Sequence, residues 1–101
     1  MIKAIYEVKD DHFTSLSVSG HAEAGEYGKD LICASVSSIV FGLMNALDEL
    51  DKNIQIQQHK NLITISNNTG SSVADDYMKL VLTQLKTIEE SYGDFIRVER
   101  K

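Results

Sequence analysis

The sequence contains no proline and a single cysteine. Without proline there is no rigid linker and no proline-rich recognition segment. One cysteine excludes an internal disulfide framework and points to a reducing, cytoplasmic setting. The longest apolar run, residues 39–44, is far too short to cross a bilayer, so no membrane partner is expected. The opening residues, MIKAIYEVKDD, lack the basic-then-apolar pattern of a secretory signal. Basic residues are the minority, 10 Lys and Arg against 15 Asp and Glu, for a net charge of −5. That balance argues against phosphate-backbone binding as the main activity, so direct nucleic-acid binding is not expected. A cationic peptide would suit it better. Long-period repeats and low-complexity tracts are also absent.

What remains is ordinary for a soluble globular protein: 101 residues, 43% apolar and 25% charged. That length supports one core, so residues 1–101 are expected to form a single domain. Residues 2–9 alternate, with Ile2, Ala4, Tyr6 and Val8 on one side, and read as a strand. Asp10-Asp11 is a turn signal, and residues 12–19 resume the alternation through Leu16 and Val18. Residues 20–29 carry Gly20, Gly25 and Gly28, and the freedom of glycine predicts a mobile loop.

Asp30 then stands as N-cap of a helix over 31–50. Ile32, Val36, Ile39, Val40, Leu43, Leu47 and Leu50 form its apolar stripe. Cys33 lies at the edge of that stripe, where a thiol would be half-sheltered. Phe41 falls nearly opposite and calls for a second apolar contact, from another helix or another subunit. Strands at 54–58 and 62–66 form a second hairpin, joined through His59-Lys60-Asn61. A second helix is predicted over about 71–91, with Val73, Tyr77, Leu80, Val81, Ile88 and Tyr92 on one face. A last strand spans 95–99. The order ββαββαβ predicts an α+β fold in two layers, a five-stranded, largely antiparallel sheet with two helices on one face.

Chemistry concentrates in one stretch. A nucleophilic cysteine acts as thiolate, and the first turn of a helix favours negative charge. Asp30 as N-cap puts Cys33 in that turn. His21 ends a strand twelve residues earlier, and the intervening loop is long enough to return it beside the thiol. A Cys–His pair supplies both halves of acyl transfer: the imidazole takes the thiol proton and then protonates the leaving amine. Ser37 is one helical turn beyond Cys33. Each residue also has a structural reading. A lone cysteine is commonly a buried apolar residue, His21 can be a polar loop residue, and N-capping alone accounts for Asp30. A carboxylate beside Cys33 opposes thiolate formation, so Asp30 is better suited to orienting His21 than to activating sulfur. His21, Asp30 and Cys33 as metal ligands match no usual zinc spacing. No metal or cofactor is therefore expected, and His12 and His59 receive no role.

The run GHAEAGEYGKDLICASVSS resembles the signature of the ribosomal-processing cysteine protease (Prp) family. In that family GHA, a glycine-containing loop and a D-hydrophobic-hydrophobic-C-A-x-x-S run recur. Gly20, His21, Ala22, Gly25, Gly28, Asp30, Cys33, Ala34 and Ser37 match, and Leu31-Ile32 replaces the frequent Ile-Val. The resemblance implies a cytoplasmic, homodimeric cysteine endopeptidase that removes the N-terminal extension of a large-subunit ribosomal protein, cutting near two bulky apolar residues. It implies Cys33 as nucleophile, His21 as general base, and Asp30, Ser37 and Gly20 in support. Gly25 and Gly28 would lie in a loop that moves to admit peptide. The family's dimer would also give Phe41 a partner. The alternative is a non-catalytic ribosome- or peptide-binding module with a structural thiol. A redox sensor would need a disulfide to another subunit or to glutathione, because no resolving cysteine exists in the chain.

Overall fold

The computed structural model describes residues 1–20 and 27–101, the first four residues of the long helix by their backbone alone. The elements are β1 (Ile2–Lys9), β2 (His12–Ser19), α1 (Tyr27–Leu50), β3 (Gln55–His59), β4 (Leu62–Ser66), α2 (Ser72–Tyr92) and β5 (Ile96–Arg100). The predicted ββαββαβ order is the observed one. The strands form one sheet in the order β3-β4-β2-β1-β5. All neighbours are antiparallel except β1 and β5, which run parallel with Lys3 opposite Arg97.

Both hairpins close on two residues. Lys9 pairs with His12 across Asp10 and Asp11, whose φ values of 52° and 63° put both in the left-handed region that a type I′ turn demands. His59 pairs with Leu62 across Lys60 and Asn61. Near the first turn Thr14 is left without a cross-strand partner, because Glu7 pairs with Ser15 and Val8 with Phe13. The Thr14 hydroxyl instead donates to Glu7 Oε1 at 2.9 Å. This bulge brings Phe13 to the side of Tyr6, with ring centroids 6.2 Å apart.

The helices share a face because of the crossovers. β2 and β3 are parallel with β4 between them, and β4 and β5 are parallel with β2 and β1 between them. The two connections start from strands of opposite sense and travel in opposite directions along the sheet. The right-handed rule for such crossovers then puts α1 and α2 on the same side. Ile2, Ala4, Leu16, Val18, Ile63, Ile65 and Ile96 point to that side and are buried. The other side is polar, and Ser15, Ser17, Thr64 and Ser66 line a cleft of about 550 Å³ there.

The helices depart from the sequence expectation in several places. The core row of α1 is Ile32, Cys33, Val36, Val40, Leu43 and Leu47, whereas Leu50 is exposed at the helix end. Phe41 packs against the core of its own chain, so its placement needs no second subunit. On α2 the buried residues are Ala74, Met78, Val81, Leu82 and Leu85. Of the expected face, Val81 is buried and Ile88 packs against the core, whereas Val73, Tyr77, Leu80 and Tyr92 are exposed. Two apolar arcs overlap on α2, and the larger side chains made the wrong one look like core. Ser71 caps α2, its hydroxyl accepting the Ala74 N–H at 3.2 Å. Asp75 in the first turn ties that helix to β2, accepting the Phe13 N–H at 2.9 Å and meeting His12 Nδ1 at 2.6 Å. His12, given no role above, is thus half of an inter-element clamp. Leu31–Leu50, with a mean hydropathy of 1.7, is long and apolar enough on average to cross a membrane, although no unbroken run in it is. Its buried row against the sheet makes it the core helix of this fold.

Candidate active site

β2 ends at Ser19, and the next residue turns the chain out of the sheet. Gly20 is buried with φ of +82°, a conformation that side chains rarely adopt. A Cβ there would sit 2.5 Å from the Met1 carbonyl oxygen and 3.2 Å from its carbon. The Gly20 N–H donates to the Asn61 carbonyl at 3.2 Å. Gly20 is therefore wedged between the start of β1 and the β3–β4 turn, and the chain departs towards α1 from that point. Its neighbours Met1 and Asn61 were not foreseeable, because strand order, not local sequence, brings them there.

His21 and Gly25 lie outside the described residues, as does the expected mobility of residues 21–26. The backbone from Tyr27 onward is helical, which corrects two expectations. Gly28 belongs to α1, not to the loop. Asp30 is the fourth residue of the helix, not its cap. Adding a turn to a helix that tertiary packing has already nucleated costs little, so the glycine at 28 does not stop it.

The earlier start changes the surroundings of Cys33, now the seventh residue of α1. The helix dipole acts mainly on the first turn, so its help to a Cys33 thiolate is weaker than the sequence suggested. In an α-helix that begins at Tyr27, the Cys33 N–H is also committed to the carbonyl four residues back. It is not available to an oxyanion. The thiol is buried, with 7% exposure, in contact with the core rather than half-sheltered at a stripe edge. Ser37, half-buried, follows one turn later on the same side of the helix. Among the described residues no group of three His, Cys, Asp or Glu side chains can hold a metal ion.

A single cysteine packed in the core helix, one turn from a serine, in a chain whose β2 runs into a buried glycine of positive φ, is a frame that suits a cysteine peptidase. The family profile described as cysteine protease Prp matches residues 1–97. The ribosomal processing cysteine protease Prp of Staphylococcus aureus is 34% identical over the full length of both chains. Its counterpart in Bacillus subtilis is 30% identical over 97% of this chain and 96% of its own. In Mycoplasma pneumoniae the figures are 36% identity, 83% and 84%. The crystal structure of the essential ribosomal processing protease Prp from S. aureus with a substrate peptide superposes with a TM-score of 0.89, 33% identity and full coverage of both chains. The same protease with a covalently linked product peptide gives 0.86 and 34%, again over the whole of both chains. The chain belongs to the Prp cysteine protease family.

Gly20→Ala is expected to force both a rare φ and a collision with β1, at a cost of about 1–3 kcal/mol. Thermal unfolding should shift down by at least about 4 °C. A variant melting within about 1 °C of the wild type contradicts this packing.

Proposed function

We propose that this chain is a cytoplasmic endopeptidase that removes the N-terminal extension of a large-subunit ribosomal protein. Cys33 is the nucleophile and His21 the general base. The reading is carried by the full-length match to relatives named as ribosomal processing cysteine proteases, one of them crystallised with a covalently linked product peptide. His21 removes the thiol proton as sulfur attacks the scissile carbonyl carbon. Collapse of the tetrahedral intermediate breaks the C–N bond, and the same proton leaves on the amine. Water then hydrolyses the thioester and regenerates the thiol. With the Cys33 N–H engaged inside α1, the oxyanion donors come from amides outside the helix, in the segment that joins Gly20 to Tyr27. Asp30, no longer needed as a cap, serves as a positioning residue for His21, and Ser37 supports the thiol from the next turn.

One observation favours the alternative, a binding module with a structural thiol: Cys33 is almost fully buried. The two readings part in a single assay. Synthetic peptides spanning the N-terminus of the candidate ribosomal protein are incubated with the protein and read by mass spectrometry. The wild type should cut at one bond and Cys33→Ala should not cut at all. An equal cut by both, or none by the wild type, removes the enzyme assignment.

We further propose that the protein works as a homodimer joined through the outer surface of its helices. Val73, Tyr77 and Leu80 of α2 are 43%, 38% and 61% exposed. They flank a groove of about 410 Å³ whose α1 side is made of Ser38, Ile39, Gly42, Leu43 and Ala46. No charged side chain lines it, so two copies of net charge −5 can meet there without like charges in contact. An apolar ridge beside an uncharged, largely apolar groove suits the self-complementary patch that a two-fold interface requires. Leu80→Asp is expected to sediment as a monomer at concentrations where the wild type is dimeric. Dimerisation unchanged by the substitution places the interface elsewhere.

A further inference from the structure

β3 forms one edge of the sheet. Because its hairpin with β4 closes on two residues, the flanking pair His59 and Leu62 exchanges backbone hydrogen bonds. Alternation then directs the N–H and C=O groups of His59, Gln57 and Gln55 towards β4, and those of Ile56 and Gln58 away from the sheet. The far side of the hairpin obeys the same parity, since Asn61, one residue before Leu62, faces β2 and accepts from Gly20. Among the described residues no side chain or loop bonds the outward groups of Ile56 and Gln58.

Natural sheets protect such an edge with charge, proline or a covering element. The sequence of β3, QIQQH, has no Lys, Arg, Asp, Glu or Pro. The opposite edge strand, β5, carries Arg97, Glu99 and Arg100. The unprotected edge is also the one continuous with the site. Its His59 end runs into the turn whose Asn61 carbonyl holds the Gly20 N–H, one residue before His21. An extended peptide laid along β3 therefore points towards the stem of the segment that links Gly20 to α1.

We infer that β3 is the docking strand for the substrate, which adds to the sheet as a sixth strand through the outward backbone groups of Ile56 and Gln58. This rests on the protease reading and specifies how its peptide is held. Main-chain pairing gives affinity that is indifferent to side chains and keeps the peptide extended, leaving sequence choice to pockets nearer the thiol. Strand addition at β3 also leaves the helical surface proposed for the dimer uncovered.

The substitution Gln58→Pro removes one outward N–H and adds a ring on that side, while β3 keeps every hydrogen bond to β4. Proline is tolerated in an edge strand where its missing N–H faced solvent. The measurement is fluorescence anisotropy of a fluorescein-labelled synthetic peptide carrying the N-terminal extension of the ribosomal protein. It is titrated with Cys33→Ala protein, with and without Gln58→Pro, so turnover plays no part. Gln58→Pro should weaken binding about tenfold. Equal affinity, or conversion of a dimer to a monomer by Gln58→Pro, overturns the proposal, the latter because the edge would belong to a second copy. A second measurement needs no variant: peptides N-methylated at one amide at a time should lose affinity at alternate positions near β3, and loss at none overturns it. Failure of the wild type to cut any peptide would defeat the protease reading without touching this comparison.

Discussion

One row of side chains holds this fold together and includes the chain's one thiol. Ile32, Cys33, Val36, Val40, Leu43 and Leu47 are the face of α1 that packs on the sheet. Cys33 is a member of that row, not an appendage to it. The contacts that exclude water from the core therefore also fix the sulfur, which costs no extra ordering when a peptide arrives. For the mechanism proposed above the same burial sets the difficulty: a thiol 7% exposed would have to meet both a base and a peptide carbonyl. The sheet closes one side of the thiol, so access must come from another.

The order of the strands sets where the chain leaves the sheet. β2 is its middle strand, so the chain leaves from the centre of the molecule at Gly20, between the first residue of the chain and the β3–β4 turn. The close approach to the Met1 carbonyl leaves no room for a side chain. The distant end of β2 is secured separately. There Asp75 binds the Phe13 amide and His12, locking the first hairpin to the start of α2.

Much of this was legible in the residues themselves. Alternation marked the strands, Asp10-Asp11 marked a tight turn, and the GHA and DLICASVS segments pointed to the family. The parts that were not legible share a cause: they depend on what packs against what. The parallel pairing of β1 with β5 joins the two ends of the chain and leaves no local trace. The start of α1 was misplaced because Gly28 and Asp30 carry loop and cap propensities that an established helix can override. The buried face of α2 was only partly legible: Val81 and Ile88 stood out, but small Ala74 and flexible Met78 signal core weakly, while exposed Tyr77 and Leu80 signal it strongly. A helix with more apolar surface than one core can use is itself a sign of a second contact. The Asp75–His12 clamp was hidden in the same way, each residue unremarkable until the hairpin and the helix met.

The central claim is that Cys33, though packed in the core, reacts in the native protein with His21 as its base. The most direct test is the rate of alkylation of Cys33 by iodoacetamide in the folded protein, followed across pH by intact-mass spectrometry. The account predicts rapid, pH-dependent modification that slows in His21→Ala while the variant keeps its fold. A thiol that stays unmodified until denaturant unfolds the chain, or one modified at the same rate with and without His21, contradicts it.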